Sequence, residues 1–440
     1  PGCALARLAA TKNTQGAVMR ISFRHSVGFA AVALMLASCG VGNYGPGPRG
    51  VAPQSQEIKW GRNQNPPPAK VAGLNAWVAN FKAQARGQGI SDQTLEFAFR
   101  DVVYNPEVVK RSQNQAEFKK SLWEYLENAV SEKRQTNGRA ALGQYGGVLN
   151  AVEARYGVDK EVVTAVWGME STYGERRGDL PLIEALSTLS YEGYRGDFFR
   201  SQLIAALKIL QAGDIDPAHM TGSWAGAMGH TQFIPTTYLA YAADFNGDGR
   251  RDIWSDDPTD ALASTAHYLR QNGWQPGQPW GAEVILPSGF DYNQVSKSVE
   301  KSGSQWTAMG VRTASGRPVP SGAIIAPAGA RGPAFLITQN FRAILKYNAS
   351  DSYALAVSFL GDAIAGRPGI QGAWPRGDRT LSNSEKAEIQ RLLMARGFDT
   401  GGADGKLGAK SVEAVKGFQR SRGMVPDGYA DANLLALLRG

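Results

Sequence analysis

The chain has 440 residues, long enough for two or three domains each with its own core, and its 43% apolar and 20% charged residues are ordinary for a globular protein. A net charge of +8 favours an anionic partner such as nucleic acid, a lipid surface or an acidic polymer. The basic residues form no long run or stripe, so charge alone selects none of these, and a nucleic-acid partner is not expected.

The chain begins with Pro1 and its first methionine is Met19, so residues 1–18 read as over-translated sequence. From Met19 to Cys39 the sequence reads as an export signal: Arg20 and Arg24, an apolar stretch from Val27 to Ala37, then small residues before Cys39. That stretch is too short to span a bilayer stably. Leu36–Cys39, "LASC", resembles the lipobox of bacterial lipoproteins, which implies lipidation of Cys39; an ordinary secretory signal that happens to contain a cysteine is the alternative. Cys3 lies upstream of the signal, so an exported chain keeps only Cys39 and forms no internal disulfide. Residues 40–70, rich in Gly, Pro, Gln and Asn and without periodicity, read as a tether.

Helical spacing follows at Leu74, Trp77, Val78 and Phe81, then at Leu203, Ala206, Leu207 and Leu210, and again at Leu262, Ala266 and Leu269. Between the first two lies "GVDKEVVTAVWGMESTYG", with Asp159 as N-cap, Glu161 in the first turn and Gly174 as the stop. Val163, Val166, Trp167 and Glu170 fall at i, i+3, i+4 and i+7, so a glutamate shares the apolar face. An ionised carboxylate there must find a partner or raise its pKa, and a raised pKa is what a general acid needs near neutral pH. The plain alternative is a Glu paired with a buried Arg or capping neighbouring backbone.

In "GSWAGAMGHTQFIPTTY", three glycines within eight residues, Gly222, Gly226 and Gly229, predict close backbone approach, and Gln232 offers a donor and an acceptor to a sugar or amide. A tight packing loop without a ligand fits the same composition. The next loop, "DFNGDGRRDIW", places Asp244, Asn246, Asp248 and Asp252 at positions 1, 3, 5 and 9, Gly249 at position 6 and Arg250 at position 7 of an EF-hand-like Ca²⁺ loop. Position 12 is Ser255 instead of glutamate, which leaves Asp257 or Asp260 to close the site. Asp257 before Pro258 also reads as a helix N-cap and Asp260 as a first-turn acid. One loop without a paired hand points to a structural Ca²⁺. Nothing calls for an organic cofactor.

Between about Ala282 and Thr338 the texture changes to short apolar runs separated by Gly, Pro and Ser, which predicts a small inserted β subdomain before a last helix, "DSYALAVSFLGDAI". The stretch "GRPGIQGAWPRGDR" reads as a linker with few contacts across it, and a tail of about 60 residues follows.

Taken together, "GMESTYG", "AGAMGHTQFIPTTY", "DFNGDGRRDIW" and "YNASDSYALAV", in this order, resemble the lytic murein transglycosylase B family. The resemblance implies an α+β, mainly α, lysozyme-like catalytic domain at residues 71–366 with its inserted β subdomain. It implies cleavage between N-acetylmuramic acid and N-acetylglucosamine in peptidoglycan, with Glu170 acting first as acid and then as base towards the C6 hydroxyl, leaving 1,6-anhydro ends. By the same likeness Ser223 and Gln232 match residues that contact substrate and the catalytic carboxylate. Tyr125, Tyr268, Tyr347 and Tyr353 match aromatic positions of the groove. Asp244, Asn246, Asp248, Arg250 and Asp260 become the expected metal set, with the extra residues of "SDDPTD" setting the last apart. Residues 381–440, beyond a linker at 367–380, resemble the small helical peptidoglycan-binding domain, with Ile389, Leu392, Leu393, Val412, Val415 and Phe418 as its core. The whole reads as a periplasmic lipoprotein of a Gram-negative outer membrane acting on glycan strands. A noncatalytic wall-binding lipoprotein and a hydrolytic muramidase are the competing readings.

Overall fold

The computed structural model describes residues 66–113 and 120–440. The export signal, Cys39 and the tether up to residue 65 lie outside the described residues. Among the described residues no helix is long and apolar enough to cross a membrane.

Two helical cores meet along a seam. The first gathers Pro68–Gly87, Asp92–Phe99, Leu182–Tyr191, Asp197–Ala212 and Pro235–Tyr241 around Phe81, Leu95, Leu186, Leu203 and Leu207. In Pro68–Gly87 and Asp197–Ala212 the spacing that predicted a helix is the spacing of the buried residues, although Trp77 and Val78 end only half-buried. The second core is built on Lys160–Ser171 packed along Asp351–Ile364, with Leu122–Ala129, Glu132–Gln144, Gly146–Tyr156, Thr259–Gln271 and Gln339–Tyr347 around them. Val163, Val166, Leu355 and Val357 are fully buried there and Trp167 almost so. Each such side chain contributes about 1.5–3 kcal/mol of transfer free energy. Tyr268 and Tyr347 pack against both cores and so mark the seam.

The insertion is a five-stranded antiparallel sheet in the order Glu300–Lys301, Gly322–Ile325, Ala334–Ile337, Gly281–Ile285, Arg312–Thr313. All four residues of Ala334–Ile337 are buried because the sheet is covered on both faces. Ala334 and Leu336 point to a small core with Trp306, Val311 and Ile324, while Phe335 and Ile337 point to the second helical core. The continuous apolar run in the sequence is the signature of that double burial.

The stretch after the last helix differs from the expected open linker. The Trp374 ring packs at a tilt against Trp123 and Phe335, with centroids 6.0 and 6.2 Å away, and the backbone amides of Gln371 and Gly372 donate to the carboxylate of Glu283 at 2.8 and 2.6 Å. The tail also docks: Arg331 pairs with both Asp378 and Asp431 at 2.5 Å, and the Ala330 amide donates to Asp427 at 2.9 Å. Composition rich in Gly and Pro says that a segment is irregular; it does not say that the segment is detached. Within the tail, helices Asn383–Ala395, Ala409–Ser421 and Ala432–Arg439 bury Ile389, Leu393, Val415 and Phe418 as expected. Leu392 and Val412 are only half-buried, and Leu434, Leu435 and Leu438 complete the core.

The docking makes two truncations distinguishable. Deleting residues 381–440 leaves Trp374 and the Glu283 contacts in place and takes Asp431 from the half-exposed Arg331, which keeps Asp378, so the melting temperature of the body should change little. Deleting 367–440 uncovers Trp123 and Phe335 and should cost on the order of 2–3 kcal/mol, read by thermal or urea unfolding. Equal losses from the two deletions would show that the stretch contributes nothing.

Candidate active site

The helix Lys160–Ser171 starts after Asp159, whose side chain makes no capping bond, and stops earlier than Gly174 because Thr172 and Tyr173 both take left-handed φ, 55° and 59°. Two consecutive non-glycine residues in that region are strained. The strain turns the chain sharply and lays the Tyr173 ring back on the helix, where a Cβ on Gly168 would lie 2.4 Å from it. The Tyr173 hydroxyl donates to the Arg134 carbonyl at 2.8 Å. The "WGMESTY" sequence thus ends a helix one residue past Glu170 and packs a tyrosine against the turn below it.

Glu170 keeps partial exposure, which leaves it reachable, yet the protein crowds its carboxyl closely. Desolvation pushes its pKa up to about 7, against a hydrogen bond from the Tyr353 hydroxyl to Oε1 at 2.5 Å, which favours the charged form. Among the described residues no second carboxylate contributes to this ionisation and no cation pairs with it. Tyr125 and Tyr347 feel its charge as well. Burial pushes Tyr125 up to about 12 and Tyr347 and Tyr353 well above the usual phenol range.

Tyr347 donates to the Thr231 carbonyl at 2.5 Å and stands edge-on to Tyr268 at 5.0 Å, and Tyr268 donates to the Lys346 carbonyl at 2.5 Å. Three of the four expected tyrosines therefore surround Glu170, and Tyr268 sits one ring behind them. The residues from Gly222 to Phe233 are knitted by bridges between Gly222 and Met228 and between Met228 and Phe233. Ser223 Oγ accepts from the Ala227 amide at 3.1 Å. Gln232 takes a left-handed φ of 55°, and its Nε2 donates to the carbonyls of Arg177 and Gly229, both at 2.9 Å. Among the described residues neither side chain hydrogen-bonds Glu170; the bond from Tyr353 takes that place. Two open clefts elsewhere, of about 430 and 490 Å³, are lined by neither Glu170 nor these tyrosines.

In the acidic loop the carboxylates face their own backbone. Asp244 accepts from Gly247 and Gly249 at 2.7 and 2.9 Å, Asp248 from Arg250 at 2.8 Å, and Asn246 Oδ1 from Asp248 at 3.0 Å. Asp260, buried in the first turn of Thr259–Gln271, accepts from the amides of Phe245, Asn246 and Asp252 and so joins both ends of the loop. Asp257 instead accepts from the Thr259 amide at 3.0 Å. Among the described residues no three His, Cys, Asp or Glu side chains converge as metal ligands. The oxygen-only donor set suits a hard cation, with Asp260, not Asp257, built into the loop.

A single desolvated carboxyl ringed by tyrosines, at the seam of a mainly helical body, has the character of a general acid kept protonated near neutral pH. Residues 73–362 match the family described as Transglycosylase SLT domain, and residues 382–438 match Putative peptidoglycan binding domain. The chain belongs to this transglycosylase family and is one of the lytic transglycosylases of peptidoglycan. It is 32% identical over 249 residues to the membrane-bound lytic murein transglycosylase B of Escherichia coli K12, a match spanning 55% of this chain and 66% of that one, just under two thirds. The crystal structure of SltB3 from Pseudomonas aeruginosa in complex with NAG-anhNAM-pentapeptide is 50% identical and superposes with a TM-score of 0.80, covering 83% of this chain and 99% of that one. The E. coli Slt35 structure in complex with calcium is 28% identical, with a TM-score of 0.56 over 67% of this chain and 93% of that one.

The raised pKa has a thermodynamic signature. Below the unfolded value near 4.5 the carboxyl is protonated in both states; between there and about 7 the unfolded chain ionises first, so stability falls as pH rises. Glu170→Gln removes the ionisation and keeps the Tyr353 bond. At pH 8 it should be more stable than wild type by on the order of 3 kcal/mol, the scale set by a rise from 4.5 to about 7 at about 1.4 kcal/mol per pKa unit. The difference should vanish near pH 4 in urea titrations; a pH-independent difference would contradict the raised pKa.

Proposed function

We propose that this chain cleaves the β-1,4 bond between N-acetylmuramic acid and N-acetylglucosamine with Glu170 alone, without water. The observation that carries this reading is a closely crowded carboxyl bonded by Tyr353, its pKa pushed up to about 7 by desolvation, on which no second carboxylate acts among the described residues. Hydrolytic glycosidases use two carboxyl groups, one as acid and one as nucleophile or base. Because Tyr353 donates to Oε1, the acidic hydrogen of Glu170 sits on Oε2. It passes to the glycosidic oxygen as the bond to C1 breaks. The C6 hydroxyl of the muramic acid closes on C1, and the Glu170 carboxylate, still held by Tyr353, takes the hydroxyl proton and is restored. The product end is a 1,6-anhydro sugar.

Ser223, whose oxygen already accepts a bond, retains its hydrogen to donate, and Gln232, whose amide hydrogens are spent on carbonyls, presents Oε1 as an acceptor. Both suit sugar hydroxyl and acetamido groups. Tyr125, Tyr268, Tyr347 and Tyr353 supply apolar ring surface, the last three with their hydroxyls already occupied. The tail holds the enzyme on glycan strands and raises local substrate concentration. Asp244, Asn246, Asp248 and Asp260 through side-chain oxygens and Arg250 through its backbone carbonyl would hold a structural Ca²⁺, which would supply charge neutralisation to the loop and no chemistry to the cleavage. Lipidation of Cys39 at the periplasmic face of the outer membrane completes the reading.

Glu170→Gln should lower turnover on purified sacculi by about 10²–10⁴-fold while leaving binding to sacculi intact. Wild-type products should carry 1,6-anhydromuramic ends by mass spectrometry, and the rate should fall as pH rises through about 7, where the acid ionises. Reducing muramic acid ends as the main product would instead establish hydrolysis.

For the loop, adding Ca²⁺ to chelated protein should raise the melting temperature, by mass action on the native state, and Asp244→Ala with Asp248→Ala should abolish the rise. No response of the wild type to Ca²⁺ would leave the loop as a turn held by its own amides.

A further inference from the structure

Two residues bracket Glu170 on its helix, and both are tied to the same neighbour. Trp167, three positions before it, donates its indole N–H to His230 Nδ1 at 3.0 Å. Ser171, immediately after it, donates its hydroxyl to the His230 carbonyl at 2.5 Å and accepts from the Gly174 amide at 3.0 Å. Trp167, Ser171 and His230 are all buried. On its other side His230 is fixed to the segment leaving the acidic loop: its amide donates to Ile253 O at 3.0 Å and its ring Nε2 lies 2.7 Å from Ser255 O. Gly229, at φ +67°, permits this approach, since a Cβ there would lie 2.2 Å from Ile253 O.

The tautomer follows from the partners. An indole N–H only donates, so Nδ1 carries no hydrogen, and a neutral ring then carries it on Nε2, where the Ser255 carbonyl accepts. Arg177 Nη1 also lies 3.3 Å from Nε2, but a guanidinium only donates, so with Nδ1 already accepting from the indole this longer contact is not a hydrogen bond to the ring. Arg177 instead donates to the carbonyls of Trp254 and Ser255 at 2.9 and 2.6 Å and pairs with Asp256, closing the outer side of the ring. His230 is therefore buried, fully used at both nitrogens and aimed at the helix that carries Glu170, not at Glu170 itself.

We propose that His230, as the Nε2–H tautomer, is a positioning residue for Glu170, clamping the last turn of its helix against the 253–255 segment so that the carboxyl stays desolvated under Tyr353. This rests on the reading of Glu170 as the acid. A helix held at residues 167 and 171 cannot rotate about its axis at residue 170. Releasing the first tie lets the last turn shift and water reach the carboxyl, which moves it away from the bond it must protonate.

The test compares His230→Phe, His230→Asn and Trp167→Phe in the full chain, assayed well below their melting temperatures on a soluble glycan. His230→Phe removes both ring bonds, Trp167→Phe removes only the donor, and His230→Asn retains an acceptor near the Nδ1 position. His230→Phe should lower kcat by about 10- to 100-fold with KM little changed and should move the alkaline limb of the pH profile to lower pH, because a rehydrated Glu170 ionises earlier. Trp167→Phe should do the same in part, the double variant should be no worse than His230→Phe, and His230→Asn should recover part of kcat. Unaltered kcat and pH limb in folded His230→Phe, or additive losses in the double variant, overturn the proposal. Should the variants not fold, ¹⁵N NMR of the wild-type histidines decides: an Nε2–H tautomer at His230 sustains it, and Nδ1–H or a doubly protonated ring overturns it. If Glu170→Gln retains turnover, the reading of Glu170 fails; if it is inactive while the His230 variants match wild type, only this inference fails.

Discussion

Keeping one carboxyl protonated at neutral pH requires that water be kept off it, and most of the body serves that requirement. Glu170 would be ionised on an exposed helix. It is held at about pH 7 because Lys160–Ser171 packs along its length against Asp351–Ile364, which closes one side of the carboxyl with Tyr353. The bond from Tyr353 opposes the shift, since it favours the charged form, and desolvation outweighs it. The balance suits a group that must give up a proton and then recover one: too apolar a site would hold the proton too firmly, and a fully solvated site would have lost it already.

The same requirement accounts for the strained turn after the helix. A helix that continued past Ser171 would cover the carboxyl with another turn of side chains. Left-handed Thr172 and Tyr173 end it at once, and the fold-back of Tyr173 on Gly168 offsets part of the cost by burying an aromatic ring. Exposure of Glu170 to substrate and its exclusion from bulk water are thus reconciled by where the helix ends.

The seam between the two helical cores is held by shared rings. Tyr268 and Tyr347 pack against both cores, and their hydroxyls are spent on backbone carbonyls, so in the proposed reading only their ring surface is left for the glycan. The β subdomain and the stretch around Trp374 brace the second core from behind: Phe335 packs on Phe359 of the long helix, and Trp374 on Phe335. A binding tail docked through Arg331 sits on the same sheet and not at the end of a free tether.

The sequence by itself determined the mainly helical class, the inserted sheet, the helix carrying Glu170 and the acid on its apolar face, because periodicity records which side of an element is buried and nothing more is needed for those statements. It also named the tyrosines and the loop through ordered motifs. Tertiary structure decided which partners those residues meet. That Glu170 is bonded by Tyr353, 183 positions away, that Gln232 donates to the Arg177 carbonyl, that Asp260 accepts amides from both ends of the acidic loop, and that Trp374 anchors a stretch resembling an open linker are all contacts between segments apart in sequence. Local propensity carries no information about such pairings: a polar side chain on a given face takes whatever partner the folded chain brings to it. His230 shows this most sharply. In the sequence it is one histidine in a glycine-rich loop; in the fold its two ring nitrogens face an indole and a carbonyl from segments 63 and 25 residues away, and that pairing fixes its tautomer.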